Sequence, residues 1–261
     1  MKIGIIGGTG LEKLKGFRFI KEIDIETKYG APTDRFKEFE ANGNRFYFLS
    51  RHGKNHEFPP HLVNYRGNID GFKQLGVDFI LAFSAVGGIN KLFNPGDFVV
   101  LDDLIDFTNG RSSTFCENGD VYHIDFTTPF CPDIRKIVID VLNKKSIKYH
   151  DRGVYVCTNG PRLETPAEIK MFEKFGADLV GMTVATEAVL AREAGICYAA
   201  VSIVSNYAAG ISKTCLTTDE VVQAVKSAEK YIVETIEELS NLKTRKYTCG
   251  CREAIEHGRF K

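Results

Sequence analysis

The segment Phe79-Ile80-Leu81-Ala82-Phe83-Ser84 is a continuous apolar run that ends in a polar residue. Its length and composition are typical of a strand that is buried on both faces of a sheet. Helical spacing precedes this run at residues 68–75, where Gly76 provides a stop, and follows it at residues 132–142. Because strands alternate with helices, the sequence predicts an α/β fold around a largely parallel, covered sheet.

The same patterns extend along the whole chain. Helix 217–242 has Thr217 or Thr218 as a candidate N-cap. The chain shows no internal repeat and no linker, so we expect one domain over residues 1–261, with a C-terminal tail from about residue 245. Further strands are predicted at residues 2–6, 45–50, 155–158, 98–101 and 198–205, and further helices at 166–175 and 186–194.

Composition narrows the classes of function. The 261 residues include 34 Lys and Arg and 34 Asp and Glu, so the formal net charge is zero. A nucleic-acid backbone or an anionic membrane would favour a basic excess, and neither is expected to be the main partner. The sequence contains no apolar run of about 18 residues and no secretory signal, which predicts a cytoplasmic protein.

The seven cysteines do not indicate a secreted disulfide framework, because their number is odd and most are isolated. The exception is Cys249-Gly250-Cys251 near the C-terminus. No second Cys or His pair at zinc spacing accompanies it, so the spacing predicts no metal site. Two alternatives remain for this motif, a disulfide clamp or a tail with free thiols.

Polar and small residues follow several predicted strands. In parallel sheets, ligands bind beyond the carboxyl ends of the strands, so these residues should meet at one edge. Arginine and histidine there would bind an anion, and an amide and a carboxylate would bind a heterocycle. The pattern predicts a site for a small ligand with an anion beside a hydrogen-bonding ring, built from Thr9, Arg51, His52, Ser84, Thr183, Glu164 and Asn206.

The sequence lacks complete motifs for several other classes of enzyme. Gly8 and Gly10 have no third glycine at position 13, so the dinucleotide fingerprint of a nicotinamide-dependent dehydrogenase is incomplete. The sequence also contains no P-loop and no nucleophile elbow. A dehydrogenase and a non-catalytic nucleoside-binding module remain the competing hypotheses.

Several motifs together carry a family resemblance: Gly4 to Gly10, Arg51-His52-Gly53 with His56, Val63-Asn64-Tyr65-Arg66, Ser84-Ala85-Val86-Gly87, Gly160-Pro161-Arg162, Gly176-Ala177-Asp178 through Met182-Thr183, and Glu187 to Ala191. The chain resembles the trimeric purine nucleoside phosphorylases, in the 5′-methylthioadenosine phosphorylase subgroup. The resemblance implies a single-domain mixed β-sheet flanked by helices, assembled as trimers or dimers of trimers. It also implies cleavage of a purine nucleoside by inorganic phosphate, with no metal or organic cofactor.

The resemblance assigns residues to each part of this site. It implies that phosphate binds Thr9, Arg51, His52, Ser84, Ala85 and Thr183, and that the catalytic residues are Asn206, Glu164 and His52. It places Met182 beneath the sugar and adds further nucleoside contacts at Asn206, Tyr207, Ala208, Leu163, Glu164, Thr218 and His123, the last reaching a neighbouring subunit's site.

At two positions the chain differs from the methylthioadenosine phosphorylases, and both positions bear on which purine base it binds. Methylthioadenosine phosphorylases carry Asp where this chain has Asn206, and Leu163-Glu164-Thr165 resembles a Phe-Glu-Thr segment of 6-oxopurine enzymes. Both favour inosine and guanosine over adenosine. On the 5′ side, Thr218 stands where nucleoside-cleaving relatives have His and methylthio-cleaving relatives have Val. Methylthioinosine and methylthioadenosine therefore remain alternative substrates.

Overall fold

The computed structural model describes residues 1–7, 14–117, 119–211, 218–243 and 246–259, without the side chains of residues 218–221. These residues form eleven strands and six helices. The strands are β1 (Lys2–Gly7), β2 (Arg18–Ile23), β3 (Phe36–Ala41), β4 (Asn44–Ser50), β5 (Phe79–Gly88), β6 (Phe98–Val100), β7 (Asp103–Asp106), β8 (Tyr149–His150), β9 (Val154–Cys157), β10 (Leu179–Gly181) and β11 (Cys197–Tyr207). The helices are α1 (Tyr65–Leu75), α2 (Pro132–Lys144), α3 (Pro166–Lys174), α4 (Val184–Glu193), α5 (Thr218–Leu239) and α6 (Ala254–Gly258).

The strands form one mixed sheet that branches at β5. The main path runs β2-β3-β4-β1-β5-β10-β9-β7, and β11 pairs with both β5 and β6. β1 is parallel to β4 and to the first half of β5, and β11 is parallel to β5 along its length. β10 is antiparallel to β5 and pairs with its last residues, Gly87 and Gly88. The end of β10 therefore points back toward the carboxyl end of β1.

The mixed sheet with flanking helices confirms the architecture that the resemblance implies, and six of its ten strand pairings among the described residues are parallel, as the alternation of strands and helices predicts. β2, β3 and β4 form an antiparallel meander, and β2 and β3 were not predicted. β2 lies at the edge, is mostly exposed and has the sequence RFIKEI, so no apolar alternation marks it.

The core lies on both faces of the sheet. Successive side chains of a strand point to opposite faces, so Phe79 and Leu81 of β5 pack in one cluster and Ile80 and Ala82 in the other. The first cluster includes residues of α2 and α5, and the second includes residues of α1 and α4. None of the described helices has both the length and the apolar character needed to cross a membrane.

The C-terminal segment packs onto the body of the protein. The Asp133 carboxylate at the start of α2 accepts the backbone N–H groups of Thr248 at 2.5 Å and Cys249 at 3.0 Å. Cys251 and Ala254 are buried. The segment of residues 246–259 is therefore anchored to the body of the protein at these points.

Candidate active site

A buried ion pair forms the base of the site. Arg51 follows β4, and its Nε and Nη2 donate to the two carboxylate oxygens of Glu187 at 2.5 and 3.1 Å. Its Nη1 donates to the Phe83 carbonyl oxygen at 2.8 Å, and the Tyr198 hydroxyl donates to Glu187 at 2.7 Å. Burial alone would lower the pKa of Arg51, but the Glu187 charge outweighs it and raises that pKa above its ordinary value. The guanidinium is thus a fixed positive charge.

Sheet topology brings Ser84 and Thr183 to this ion pair. Ser84 follows the carbonyl that Arg51 binds, and its hydroxyl lies 3.0 Å from that of Ser202. β10 runs antiparallel to β5 toward Ser84, and Thr183, two residues beyond β10, is the N-cap of α4. Because Glu187 lies in the first turn of α4, the positive end of that helix faces the same region as the guanidinium. This arrangement suits a small anion.

His52 adds a neutral imidazole beside this pocket. Its Nδ1 lies 2.8 Å from the Phe58 carbonyl oxygen, which can only accept, so Nδ1 carries the proton and Nε2 is an acceptor. Burial, followed by the charge of Arg51, lowers the pKa of His52 to about 4. At neutral pH, the free Nε2 can therefore accept a hydrogen bond from a protonated phosphate or a sugar hydroxyl.

Asn206 lies further along the same pair of strands. Its Nδ2 donates to the Tyr207 carbonyl oxygen at 2.8 Å, and its Oδ1 lies 2.6 Å from the Ser205 hydroxyl. The carbonyl fixes the orientation of the amide and leaves one N–H for a ligand. Asn206 pairs with Gly87 of β5, four residues beyond Phe83, so the Arg51 and Asn206 positions are separated by roughly 13 Å of strand. That span is on the scale of a nucleoside with a phosphate against its sugar.

Glu164 is tied to the end of β10. The Thr158 hydroxyl donates to its Oε1 at 2.6 Å, and the Thr158 backbone N–H donates to the Gly181 carbonyl oxygen at 2.8 Å. Arg111 joins the same loops, because its Nη1 donates to the Met182 carbonyl oxygen at 2.7 Å and its Nη2 to that of Asn159 at 2.9 Å. The remaining carboxylate oxygen of Glu164 is a candidate acceptor for a ligand N–H.

The remaining predicted site residues differ in their exposure and in their hydrogen-bond partners. Ser84 and Asn206 lie within β5 and β11, because both strands extend beyond the predicted strand ends at residues 84 and 205. The Tyr207 hydroxyl donates to Asn94 at 2.9 Å, and the His123 backbone N–H donates to the Gly258 carbonyl oxygen at 2.9 Å. Ala85 and His123 are exposed, Leu163 is half-exposed and Ala208 is buried. Thr9 and the side chain of Thr218 lie outside the part of the chain that the structure describes.

Three residues that support the site have no recognisable signature of that role in the sequence. Glu187 bonds to Arg51, Tyr198 bonds in turn to Glu187, and Arg111 bonds to the loop that carries Met182, but sequence patterns alone assigned none of the three a role. A carboxylate in the first turn of a helix that is mostly apolar up to Ala191 was the available signal for Glu187. For Arg111 no local signal exists, because its partners lie between 46 and 75 residues away along the chain.

Gly181 leaves room for the tyrosine that orients Thr183. A Cβ at Gly181 would overlap the hydroxyl of Tyr155, a fully buried side chain whose oxygen accepts the Thr183 N–H at 3.1 Å. We expect Gly181→Ala to lower the free energy of unfolding by about 1–3 kcal/mol and to weaken the binding of a small anion beside Thr183. Urea unfolding and a titration with inorganic phosphate measure the two effects. Gly250→Ala is the control, because no atom lies within 4 Å of that Cβ position. An unchanged anion affinity would contradict the role assigned to Tyr155.

Comparison with known proteins shows full-length similarity. The family model described as the phosphorylase superfamily matches residues 2–240. The chain is 44% identical to a probable S-methyl-5′-thioinosine phosphorylase of Thermodesulfovibrio yellowstonii, covering 100% of this chain and 98% of that protein. It is 43% identical to the 6-oxopurine nucleoside phosphorylase of Pyrococcus furiosus, covering 98% of each. A solved structure of methylthioadenosine phosphorylase from Schistosoma mansoni, in complex with adenine, matches with a TM-score of 0.93 and 32% identity, covering 99% of each chain.

Proposed function

Because the chain belongs to the phosphorylase superfamily, we propose that it is a purine nucleoside phosphorylase acting on 6-oxopurine nucleosides. It uses inorganic phosphate to cleave the N-glycosidic bond of inosine or guanosine, releasing the free base and ribose 1-phosphate. The observation that carries this proposal is that the Arg51 guanidinium binds β5 at the Phe83 carbonyl oxygen and Asn206 of β11 pairs with Gly87 of β5, with Ser84 between these two points. That order suits a phosphate, a sugar and a base in succession.

The phosphate side supplies the nucleophile. Arg51, Ser84 and the positive end of α4 at Thr183 hold the phosphate, with Thr9 and Ala85 as further contacts. As the C1′–N9 bond breaks, its electron pair goes to the purine and the sugar acquires oxocarbenium character. The phosphate dianion stabilises that charge, and one of its oxygens forms the new bond to C1′. Met182 lies beneath the sugar.

The base side stabilises the leaving purine. Asn206 donates its free N–H to O6 or N7 of a 6-oxopurine, and Glu164 accepts the N1–H. Adenine has an unprotonated N1, which an ionised Glu164 would repel. A site built around ligand hydrogen bonds can reject an analogue that lacks them by about 10⁴-fold. Tyr207, through its carbonyl, and Ala208 and Leu163, as neighbours of these groups, complete the base pocket.

S-methyl-5′-thioinosine is the second candidate substrate, because the relative from Thermodesulfovibrio yellowstonii carries that name. It shares the 6-oxopurine base, so Asn206 and Glu164 act on it in the same way, and only the 5′ contacts at Thr218 and His123 distinguish the two. 5′-Methylthioadenosine is a weaker candidate because its base is a 6-aminopurine. We further propose a cytoplasmic homotrimer or dimer of trimers whose chemistry needs phosphate as co-substrate and no cofactor.

A phosphorolysis panel tests this function. Inosine, guanosine, adenosine and their 5′-methylthio analogues are each incubated with and without phosphate, and the released base is quantified. We expect phosphate-dependent release of hypoxanthine or guanine to exceed that of adenine. Equal or faster release of adenine would refute the base assignment. Binding of nucleosides without any base release would identify a non-catalytic binding module instead.

Glu164→Gln tests the N1–H acceptor. Hydrogen bonds to charged groups contribute about 1.5–3 kcal/mol, so we expect kcat/KM for inosine to fall about 10- to 100-fold. The Tm should change little, because the amide oxygen of Gln can still accept from the Thr158 hydroxyl. Glu173→Gln, on the exposed face of α3, is the matched control. A large loss of Tm with kcat/KM unchanged would show that Glu164 is structural.

A further inference from the structure

Four cysteines from three distant parts of the chain meet at the end of β11 away from the active site. Cys131 is the N-cap of α2, Cys197 is the first residue of β11, and Cys249 and Cys251 lie in the C-terminal segment. Their sulfur atoms all lie within 4.8 Å of one another. Cys131 and Cys197 are fully buried, and Cys251 is 3% exposed.

The distances between the four sulfur atoms match those of a tetrahedral thiolate site. Zinc–sulfur bonds of about 2.3 Å place the four sulfurs of such a site about 3.8 Å apart. The Cys197 and Cys249 sulfurs are 3.4 Å apart, close to that spacing. We propose that Cys131, Cys197, Cys249 and Cys251 bind one zinc ion through four thiolates. Each thiol releases its proton to solvent when the ion binds.

Two positive groups near the cluster lower the cost of forming thiolates there. Four thiolates and one Zn²⁺ carry a net charge of −2, which a buried position tolerates only with positive surroundings. Cys131 lies at the positive end of α2, which lowers the cost of a thiolate there. The buried guanidinium of Arg192, held by the Asp125 and Thr128 carbonyl oxygens, acts electrostatically on Cys251. A pair of neutral disulfides would gain nothing from these charges.

The ion would be structural. All four positions are taken by protein ligands, which leaves no open site for a substrate. Cys197 begins β11 and Asn206 lies near its other end, about 30 Å away along the strand. The ion would join the C-terminal segment to α2 and β11. That segment in turn holds the His123 loop through the Gly258 carbonyl oxygen. Spacing along the sequence missed this site because Cys197 and Cys249 are 52 residues apart.

Metal analysis of the full-length protein tests the proposal. Protein produced with zinc in the medium and purified under reductant should contain about one zinc per chain. Cys249→Ser removes one ligand, and we expect it to weaken zinc binding more than about 100-fold in a chelator competition. Cys116→Ser should leave zinc binding unchanged, because the Cys116 thiol lies outside the cluster and donates to the Asp120 carbonyl oxygen.

Two measurements on the wild-type chain keep the proposal testable if a variant does not fold. Cobalt substitution should produce sulfur-to-metal charge-transfer bands and intense tetrahedral d–d bands. Zinc removal by a thiol reagent and chelator, reversed by reductant and zinc, should lower the Tm by more than about 5 °C while leaving kcat near its original value. Zinc-free protein with full Tm, or an intact mass lacking four hydrogens because two disulfides have formed, would overturn the proposal. Neither outcome depends on phosphorolysis activity.

Discussion

Asn206→Asp is expected to shift the base preference of the enzyme strongly toward adenosine. The ratio of kcat/KM for inosine to that for adenosine should fall about 10³-fold, because a site that donates to O6 becomes one that accepts from the 6-amino group. The Tyr207 carbonyl oxygen, which lies 2.8 Å from Nδ2 of Asn206, determines the protonation state of the new side chain. An ionised carboxylate there would face an acceptor, so the protonated acid is favoured: its O–H donates to the Tyr207 carbonyl oxygen and its other oxygen accepts from the 6-amino group.

Initial rates of base release for the two nucleosides measure the change. Asn206→Leu is the control, because it keeps the approximate volume and removes all hydrogen bonding. It should slow both substrates without reversing their order. An unchanged preference in the aspartate variant would contradict the assignment of Asn206 to the base.

Glu187→Leu is expected to cause the largest loss of stability. Glu187 is 1% exposed and is the carboxylate partner of the buried Arg51, so its removal leaves an uncompensated buried charge. Breaking a buried pair in this way costs about 3–5 kcal/mol. For a chain of this size, that loss corresponds to a fall in Tm of about 10 °C. Urea unfolding and thermal melts measure both quantities.

The double variant Arg51→Met with Glu187→Leu separates folding from catalysis. Replacing both members of a buried pair with apolar residues of similar volume is often neutral for stability, so the double variant should regain most of the lost stability. Its phosphorolysis should remain below that of the wild type by about 10³-fold, because the phosphate has lost its cation. Recovery of activity together with stability would show that Arg51 is purely structural.

The sequence could predict individual site residues better than it could predict their partners or the strands at the edge of the sheet. Arg51, Ser84 and Thr183 could be predicted as candidates because small or polar residues follow, or interrupt, recognisable apolar strands. Glu187 was missed as their partner, because the contact joins residues 136 positions apart. β2 was missed because an exposed edge strand carries no burial pattern. β5 extends to Gly88 because ten residues of β11 pair with it, which no local propensity for Gly87 or Gly88 would indicate.

The amino-acid sequence by itself determined the alternation of strands and helices, the single domain and the presence of cationic and amide groups near strand ends, because periodicity and composition are local properties. Only the tertiary structure decided that β10 runs antiparallel to β5 and brings Thr183 back toward Ser84. It also decided that Glu187 neutralises Arg51 and that four separated cysteines meet. These contacts depend on sheet order and strand direction, which are set by how the whole chain buries its apolar surface.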